Sequence, residues 1–196
     1  LPRDMEAYND LQHTIDFFEG KPITKNPEQP KYNHPINWSN IKKVNETTEA
    51  TIATDKGDIT LAFYHTISPG SVSNFIKLAN DKHFNNKVFH RVVPNFVVQS
   101  GCPRGDGYGS LDYSIRSEVS TLKYDDEGYV GMASAGKDTE GVQFFITHSP
   151  TPHLDGKYSI FAKVISGMDV VHQLMVGDKI KKVTVKYDVI DLPEKQ

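Results

Sequence analysis

Among residue types that can do chemistry, the densest grouping is Phe89-His90-Arg91-Val92-Val93-Pro94-Asn95-Phe96-Val97-Val98-Gln99-Ser100-Gly101. It sets a guanidinium, an amide and an aromatic ring within nine residues. Downstream come Gly131-Met132-Ala133-Ser134-Ala135-Gly136, then Gln143-Phe144-Phe145-Ile146-Thr147, then His153-Leu154-Asp155-Gly156-Lys157-Tyr158-Ser159-Ile160-Phe161. Alternation along a strand puts Gln143 and Phe145 on one face. Arg91 can share a cleft with them. Taken singly, Phe96, Phe145, Leu154 and Phe161 read as core residues and Arg91 as a surface cation. Residue arithmetic stops at an apolar cleft with one guanidinium.

Other local patterns carry less. Gly131 through Lys137 has phosphate-loop spacing, but Asp138 stands where a hydroxyl should hold magnesium, and the following segment reads as strand. Arg104-Gly105-Asp106 is a three-letter adhesion match of the kind that recurs by chance. Asn37-Trp38-Ser39 and Asn45-Glu46-Thr47 are glycosylation sequons with meaning only in a eukaryotic secretory pathway. His148 and His153 are separated by Pro150 and Pro152 and have no carboxylate or thiolate cluster at ligand spacing, so no metal is expected. The Gly-x-Ser-x-Gly elbow of a serine hydrolase is missing.

The elements that must position these residues read mostly as strands. Ile59, Leu61 and Phe63 alternate with Thr60 and Ala62 after a turn at Asp55–Asp58. Val88–Val93, Phe96–Gln99, Phe144–Thr147, Ser159–Val164 and Lys182–Ile190 are the other strand signals. Ser68 as N-cap with Pro69 at the first helical position opens a helix that buries Val72, Phe75, Ile76 and Ala79. Ser166 with Asp169 resembles a capping box before Val170, Val171 and Leu174. Short strands, Gly-rich turns and two separated helices suggest a closed β-barrel with helical caps rather than a βαβ sheet.

Composition changes near residue 46. Before it lie five of the eleven prolines and one of the fourteen glycines. Residues 1–46 are therefore expected to be an N-terminal extension, 47–192 the folded unit and 193–196 a tail. Within the extension Met5, Tyr8, Leu11, Ile15 and Phe18 share one helical face over 4–19, with Asp4 as N-cap and Gly20 as stop. That face could cover the main unit or an upstream domain. Residues 21–37 are polar and broken by proline, so they should be irregular.

The whole chain has 196 residues, 37% hydrophobic and 24% charged, enough to build one core. A net charge of −3 offers no electrostatic reason to expect nucleic acid or an anionic membrane as partner. The uncharged apolar runs are too short to span a bilayer. One cysteine, Cys102, excludes a disulfide framework within these residues and a multi-thiolate zinc site. The start at Leu1 is compatible with a trimmed or mature piece that has lost a targeting segment or an upstream domain, so no compartment is assigned.

The three ordered blocks resemble the cyclophilin family of peptidyl-prolyl cis-trans isomerases, through Phe89-His90-Arg91, Gln143-Phe144-Phe145 and Leu154-Asp155-Gly156-Lys157. The stretch Gly101-Cys102-Pro103-Arg104-Gly105-Asp106-Gly107-Tyr108-Gly109 is similar to that family's Gly-rich loop. The likeness runs over roughly residues 50–190. It implies a mainly β fold, a closed eight-stranded antiparallel barrel capped by two α-helices. It implies acceleration of X–Pro rotation in unfolded or flexible proteins, assisting folding, without a cofactor. The alternative is a proline-peptide binding or scaffold module using the same groove without turnover.

Position by position, the resemblance makes Arg91 the catalytic arginine and Gln99 its holder and a substrate hydrogen-bonder. Phe96, Val97, Phe145, Leu154 and Tyr158 would form the proline pocket. Ala133 and Ser134 would line the peptide groove, with the Ser134 backbone pairing with the residue before proline. Gln143 would border the adjoining groove. The sequence departs from the frequent pattern at Val97 for Met, Ser134 for Asn and Tyr158 for His. His153 stands where a Trp accompanies strong cyclosporin binding, so binding of that drug is expected to be weakened while catalysis is kept.

Overall fold

The computed structural model describes residues 5–22 and 35–187, and the side chains within them except Met5–Asp10 and Asn40. The expected cap Asp4, strand end 188–190 and tail 193–196 lie outside the described residues. Eight strands form one antiparallel sheet: β1 (Glu49–Thr54), β2 (Asp58–Phe63), β3 (Arg91–Val93), β4 (Val97–Ser100), β5 (Tyr129–Met132), β6 (Phe144–Thr147), β7 (Ile160–Ser166) and β8 (Ile180–Lys186). Their spatial order is β3-β4-β6-β5-β7-β2-β1-β8.

The expected closure does not appear as a ladder, because β3 and β8 stand at the two ends of that order. The curled sheet instead brings the residues just before them together. Val88 bridges Lys179, and Phe89 N–H donates to Asp178 O at 2.9 Å. β1 and β5 carried no sequence signal strong enough to be expected. β1 is Glu-Ala-Thr-Ile-Ala-Thr, whose small residues hide the alternation.

Period-two alternation divides the sheet residues between two apolar clusters. Val98, Val130, Met132, Phe144 and Ile146 face the main core, which also holds Ile52, Ile59, Leu61 and Phe161. Val97, Tyr129 and Phe145, their neighbours on the same strands, belong to a second cluster with Tyr124, Leu154 and Ile160. One sheet face thus builds the domain and the other is free to build a site.

Helix α3 (Pro69–Asn80) plugs the main core. Phe75 is its pivot, with ring centroids 4.9 Å from Phe84, 5.3 Å from Phe161 and 5.5 Å from Phe144. Ser68 is the N-cap residue, as expected, but its hydroxyl does not cap; it donates to Ile160 O at 2.6 Å. A distant carboxylate does the capping. Glu118 accepts from Gly70 N–H (2.7 Å), Ser71 N–H (2.8 Å) and the Ser71 hydroxyl (2.8 Å). Negative charge there satisfies orphan donors and complements the helix dipole.

The capping box expected at Ser166 is corrected. Ser166 ends β7, and helix α4 (Met168–Gln173) starts from Gly167, at φ 91° with no side-chain cap. A Cβ on Gly167 would run into the Asp58 carbonyl of β2, so close backbone approach and positive φ both demand glycine.

Helix α1 spans Met5–Phe18, with Gly20 following it in the left-handed region. Leu11, Ile15 and Phe18, part of its expected apolar face, are exposed. The short helix α2 (Trp38–Ile41) packs on α3. Ile41 and Val44 are buried in the main core with Ile36 against it, although composition places all three in the extension. No helix among the described residues is long and apolar enough to cross a membrane.

Candidate active site

The site is a row across four strands. Register pairs Arg91 of β3 with Gln99 of β4, Gln99 with Phe145 of β6, and Phe145 with Gly131 of β5. Residues directly opposite in antiparallel strands project from the same face. Arg91, Gln99 and Phe145 are therefore set side by side by backbone pairing, on the face opposite the main core.

Arg91 is exposed at the end of this row. Its Nη1 donates to Gln99 Oε1 at 3.4 Å, and its guanidinium carbon lies 5.6 Å from the centre of the Phe96 ring, within cation–π range. Gln99 in turn donates from Nε2 to Gln143 Oε1 at 3.0 Å. Gln143 Nε2 donates to the carbonyls of Gly107 (2.8 Å) and Gly109 (2.9 Å). Two amides thus link the guanidinium to the Gly-rich loop. A planar amide accepting at one end and donating at the other has a fixed orientation. The arginine then has one side-chain orientation favoured while N–H groups remain toward solvent.

Beside the row lies the second apolar cluster. Val97, Phe145 and Leu154 are buried in it, with Phe96, Ala133 and Tyr158 packed against it partly exposed. Phe145 meets Tyr158 edge-on at 5.7 Å. His153, on the 3-10 turn Pro152–Leu154, is exposed and stacks on Phe96 at 5.1 Å and 30°. Ala133 N–H donates to Gln143 O at 3.0 Å, which ties the segment leaving β5 to the residue before β6. Ser134 is half-buried and lines a surface groove together with Tyr158. The structure brings all eleven expected residues to this one face or its rim: Arg91, Gln99, Phe96, Val97, Ala133, Ser134, Gln143, Phe145, His153, Leu154 and Tyr158.

Two contributors were not anticipated. Tyr124 is fully buried behind Phe145, ring centroids 5.8 Å apart, and burial pushes its phenol well above the ordinary range. Gly131 is the spacer beneath the ring: a Cβ there would overlap the Tyr124 hydroxyl and the tip of Phe145, and lie 2.9 Å from Phe145 Cε1. A glycine inside the strand Tyr129-Val130-Gly131-Met132 signals such close approach, and that signal was available. The phosphate-loop spacing around it has no structural counterpart, since Gly131 lies within β5 and no helix follows Lys137 before β6.

Chemically, the arrangement sets a hydrogen-bonded cation beside an apolar, largely aromatic cluster. Beside it stand the half-buried amides of Gln99 and Gln143, groups able to hydrogen-bond a peptide backbone.

Known proteins show which family the chain resembles. The family described as cyclophilin type peptidyl-prolyl cis-trans isomerase/CLD matches residues 49–191. A peptidyl-prolyl cis-trans isomerase B of Bacillus subtilis is 44% identical over 133 residues, 67% of this chain and 93% of that protein. A peptidyl-prolyl cis-trans isomerase of Helicobacter pylori is 40% identical over 162 residues, 81% of this chain and 98% of that protein. A crystal structure of a cyclophilin type isomerase of Cryptosporidium parvum, obtained in the presence of the dipeptide Ala-Pro, superposes with a TM-score of 0.67. That pair shares 30% identity over 71% of this chain and 99% of the other.

Proposed function

Since this chain belongs to the cyclophilin-type peptidyl-prolyl cis-trans isomerases and is such an isomerase, we propose that Arg91 drives the rotation and that the Phe145 dent grips the proline. The single observation carrying this reading is the cross-strand row that sets Arg91, Gln99 and Phe145 on one face.

Rotation about an X–Pro amide faces a barrier of about 18–20 kcal/mol, because twisting breaks amide resonance. Its two planar end states differ by only about 0.5–1 kcal/mol. The protein must therefore bind the twisted state better than either planar one, and needs no nucleophile to do so. Loss of resonance leaves a lone pair on a pyramidal prolyl nitrogen. A guanidinium N–H can donate to that lone pair, and arginine stays charged at every working pH.

The proline ring packs against Phe96, Val97, Phe145, Leu154 and Tyr158, which anchors one side of the rotating bond. Gln99 hydrogen-bonds the substrate backbone while holding Arg91 through its other end. The backbone of Ser134 pairs with the residue before proline, and Ala133 and Gln143 border the strip on which that residue lies. Grip on proline and backbone suits exposed X–Pro segments of unfolded or flexible chains. The related crystal structure obtained in the presence of the dipeptide Ala-Pro supports binding of proline-containing peptides.

The test is cis-trans exchange of an Ala-Pro peptide followed by NMR with chelator-treated protein. Wild type accelerates exchange at catalytic concentration. Arg91→Ala lowers kcat/KM by roughly 10²–10³, the scale of one transition-state donor. Arg91→Lys is also poor, because an ammonium lacks the planar fork. Full turnover by a well-folded Arg91→Ala protein overturns the assignment of this residue.

A further inference from the structure

Two surfaces outside the active site complement each other. The first is helix α1, which is covered on its polar side and bare on its apolar one. Asp16 is buried, Gln12 and His13 are half-buried, and Gln12 Nε2 donates to Asp16 Oδ1 at 2.8 Å. Leu11 and Phe18, by contrast, are 60% and 81% exposed, and Ile15 and Phe17 are exposed with them. Leu11, Ile15 and Phe18 stand at i, i+4 and i+7, the spacing by which an amphipathic helix enters a hydrophobic groove. A contiguous exposed apolar stripe marks an interaction site.

The second is a cleft of about 740 Å³ where α2 meets α3, and none of its lining residues belongs to the proposed active site. Its lining includes Ile36 and Trp38 at the start of α2, Ser73 and Lys77 of α3, and Ile115 and Arg116 from the segment before β5. Ile115 is buried and Ile36 half-buried, so apolar surface lines the cleft. Trp38, the one tryptophan in the sequence, is 57% exposed there. Lys77 is paired with Asp81 at 2.7 Å, and Glu118 is taken up by the start of α3. Arg116 is exposed and has no ion-pair partner among the described residues. Tryptophan and arginine are the residue types that most often anchor an interface.

We propose that two copies of this chain pair by exchanging α1, the Leu11–Ile15–Phe18 face of each lying in the Trp38–Arg116 cleft of the other. Charge selects this occupant. Helix α1 carries Glu6, Asp10 and Asp16 and no lysine or arginine, so it suits a cleft with a spare guanidinium. It does not suit a second α1, because two such helices side by side set carboxylates against carboxylates. Nor does α1 fill its own cleft, since its apolar face stands in solvent. Reciprocal exchange satisfies both helices and both clefts in a closed two-fold pair.

The test uses Trp38 fluorescence as reporter, with mass measured on the same samples by sedimentation equilibrium. As concentration rises, the mass goes from one chain of 22.0 kDa to two. Trp38 emission moves to the blue with the same midpoint, because an indole leaving water emits at shorter wavelength. Leu11→Gln/Phe18→Gln removes two apolar anchors while keeping a good helix former at both positions. Arg116→Glu reverses the charge of the cleft. Each weakens association by about tenfold or more, the scale of one lost anchor. Below the association midpoint both variants keep the wild-type Tm, so the change is in pairing and not in folding. An equimolar mixture of the two associates more than either alone, because the intact helix of one meets the intact cleft of the other. A wild type that stays a single chain at every concentration, whatever its Trp38 emission, overturns the proposal, and so does a mass above two chains. Pairing that Arg116→Glu leaves unchanged, or a mixture no better than its components, points to α1 against α1 and overturns it as well.

Discussion

Adding one methyl group at Gly131 isolates how the floor of the proposed proline pocket is built. The residue lies in β5 with an ordinary strand φ, so alanine meets no backbone strain there, only neighbours. The new Cβ would overlap the Tyr124 hydroxyl and the tip of the Phe145 ring. Both side chains are buried, at 0% and 5% exposure, so neither can swing into solvent at little cost. Overpacking of this kind costs about 1–3 kcal/mol. For a chain of this size each kcal/mol moves Tm by about 2–4 °C, so Gly131→Ala should melt roughly 2–12 °C lower. The ring that yields belongs to the proposed proline pocket, and a misplacement near 1 Å can cost about 10²-fold. A fall in kcat/KM of roughly ten- to hundredfold is expected by NMR exchange. Phe145→Leu in the same chain removes the ring tip. The double variant should recover most of the lost stability but not the activity, with a coupling of about 0.5–3 kcal/mol in urea denaturation. A Gly131→Ala protein with wild-type Tm and turnover, or strictly additive effects in the cycle, would refute the account of Gly131 as the spacer under Phe145.

The remaining expectations are briefer. His153→Trp should tighten cyclosporin inhibition while kcat/KM stays within a few-fold, since indole offers a larger apolar surface than imidazole and His153 already stacks on Phe96; equal inhibition of the two proteins in matched titrations counts against it. Glu118→Gln should destabilise the fold by about 0.5–2 kcal/mol, the scale of a lost N-cap, read as a lower urea midpoint, because a neutral amide loses charge-assisted contacts to the start of α3; an unchanged midpoint argues that the carboxylate is dispensable there. Glu140 is fully buried, with Oε1 accepting from the Ser159 hydroxyl at 3.3 Å, and burial raises its pKa. The unfolded chain therefore releases this proton first, so the residue's contribution to stability falls as pH rises from about 4.5 through the folded pKa. Glu140→Gln should be more stable than wild type at neutral pH, with the gap closing in acid; a variant that is less stable at every pH defeats this.

Much of the candidate site is legible in the sequence. Arg91, Gln99 and Phe145 were reachable because motif blocks with fixed order and gaps carry a family resemblance, and strand periodicity alone puts Gln143 and Phe145 on one face. The start of α3 was readable at Ser68-Pro69 because proline at the first helical turn is a local preference that needs no tertiary partner. Even so, the group that caps α3 was not readable. Glu118 lies 48 residues from Gly70, and nothing in the sequence near either one announces the other.

What only the tertiary structure decided follows from the same limit. Local sequence reports which residues alternate, but register between strands decides which alternating residues meet. The row Arg91–Gln99–Phe145–Gly131 needs three separate pairings; β3–β4 and β5–β6 join strands consecutive in the chain, but β4–β6, which brings Gln99 to Phe145, passes over β5. The start of α4 was misread because Ser166 and Asp169 have capping-box spacing, whereas the backbone of β2 passes so close to Gly167 that only a residue without a side chain fits. Likewise Ile36, Ile41 and Val44 join the core although their surroundings are polar and proline-rich, because α3 offers an apolar face for α2 to cover. The sequence therefore determined the chemistry available and the family that uses it. Long-range pairing and close approach, which depend on residues far apart in the chain, decided how that chemistry is held.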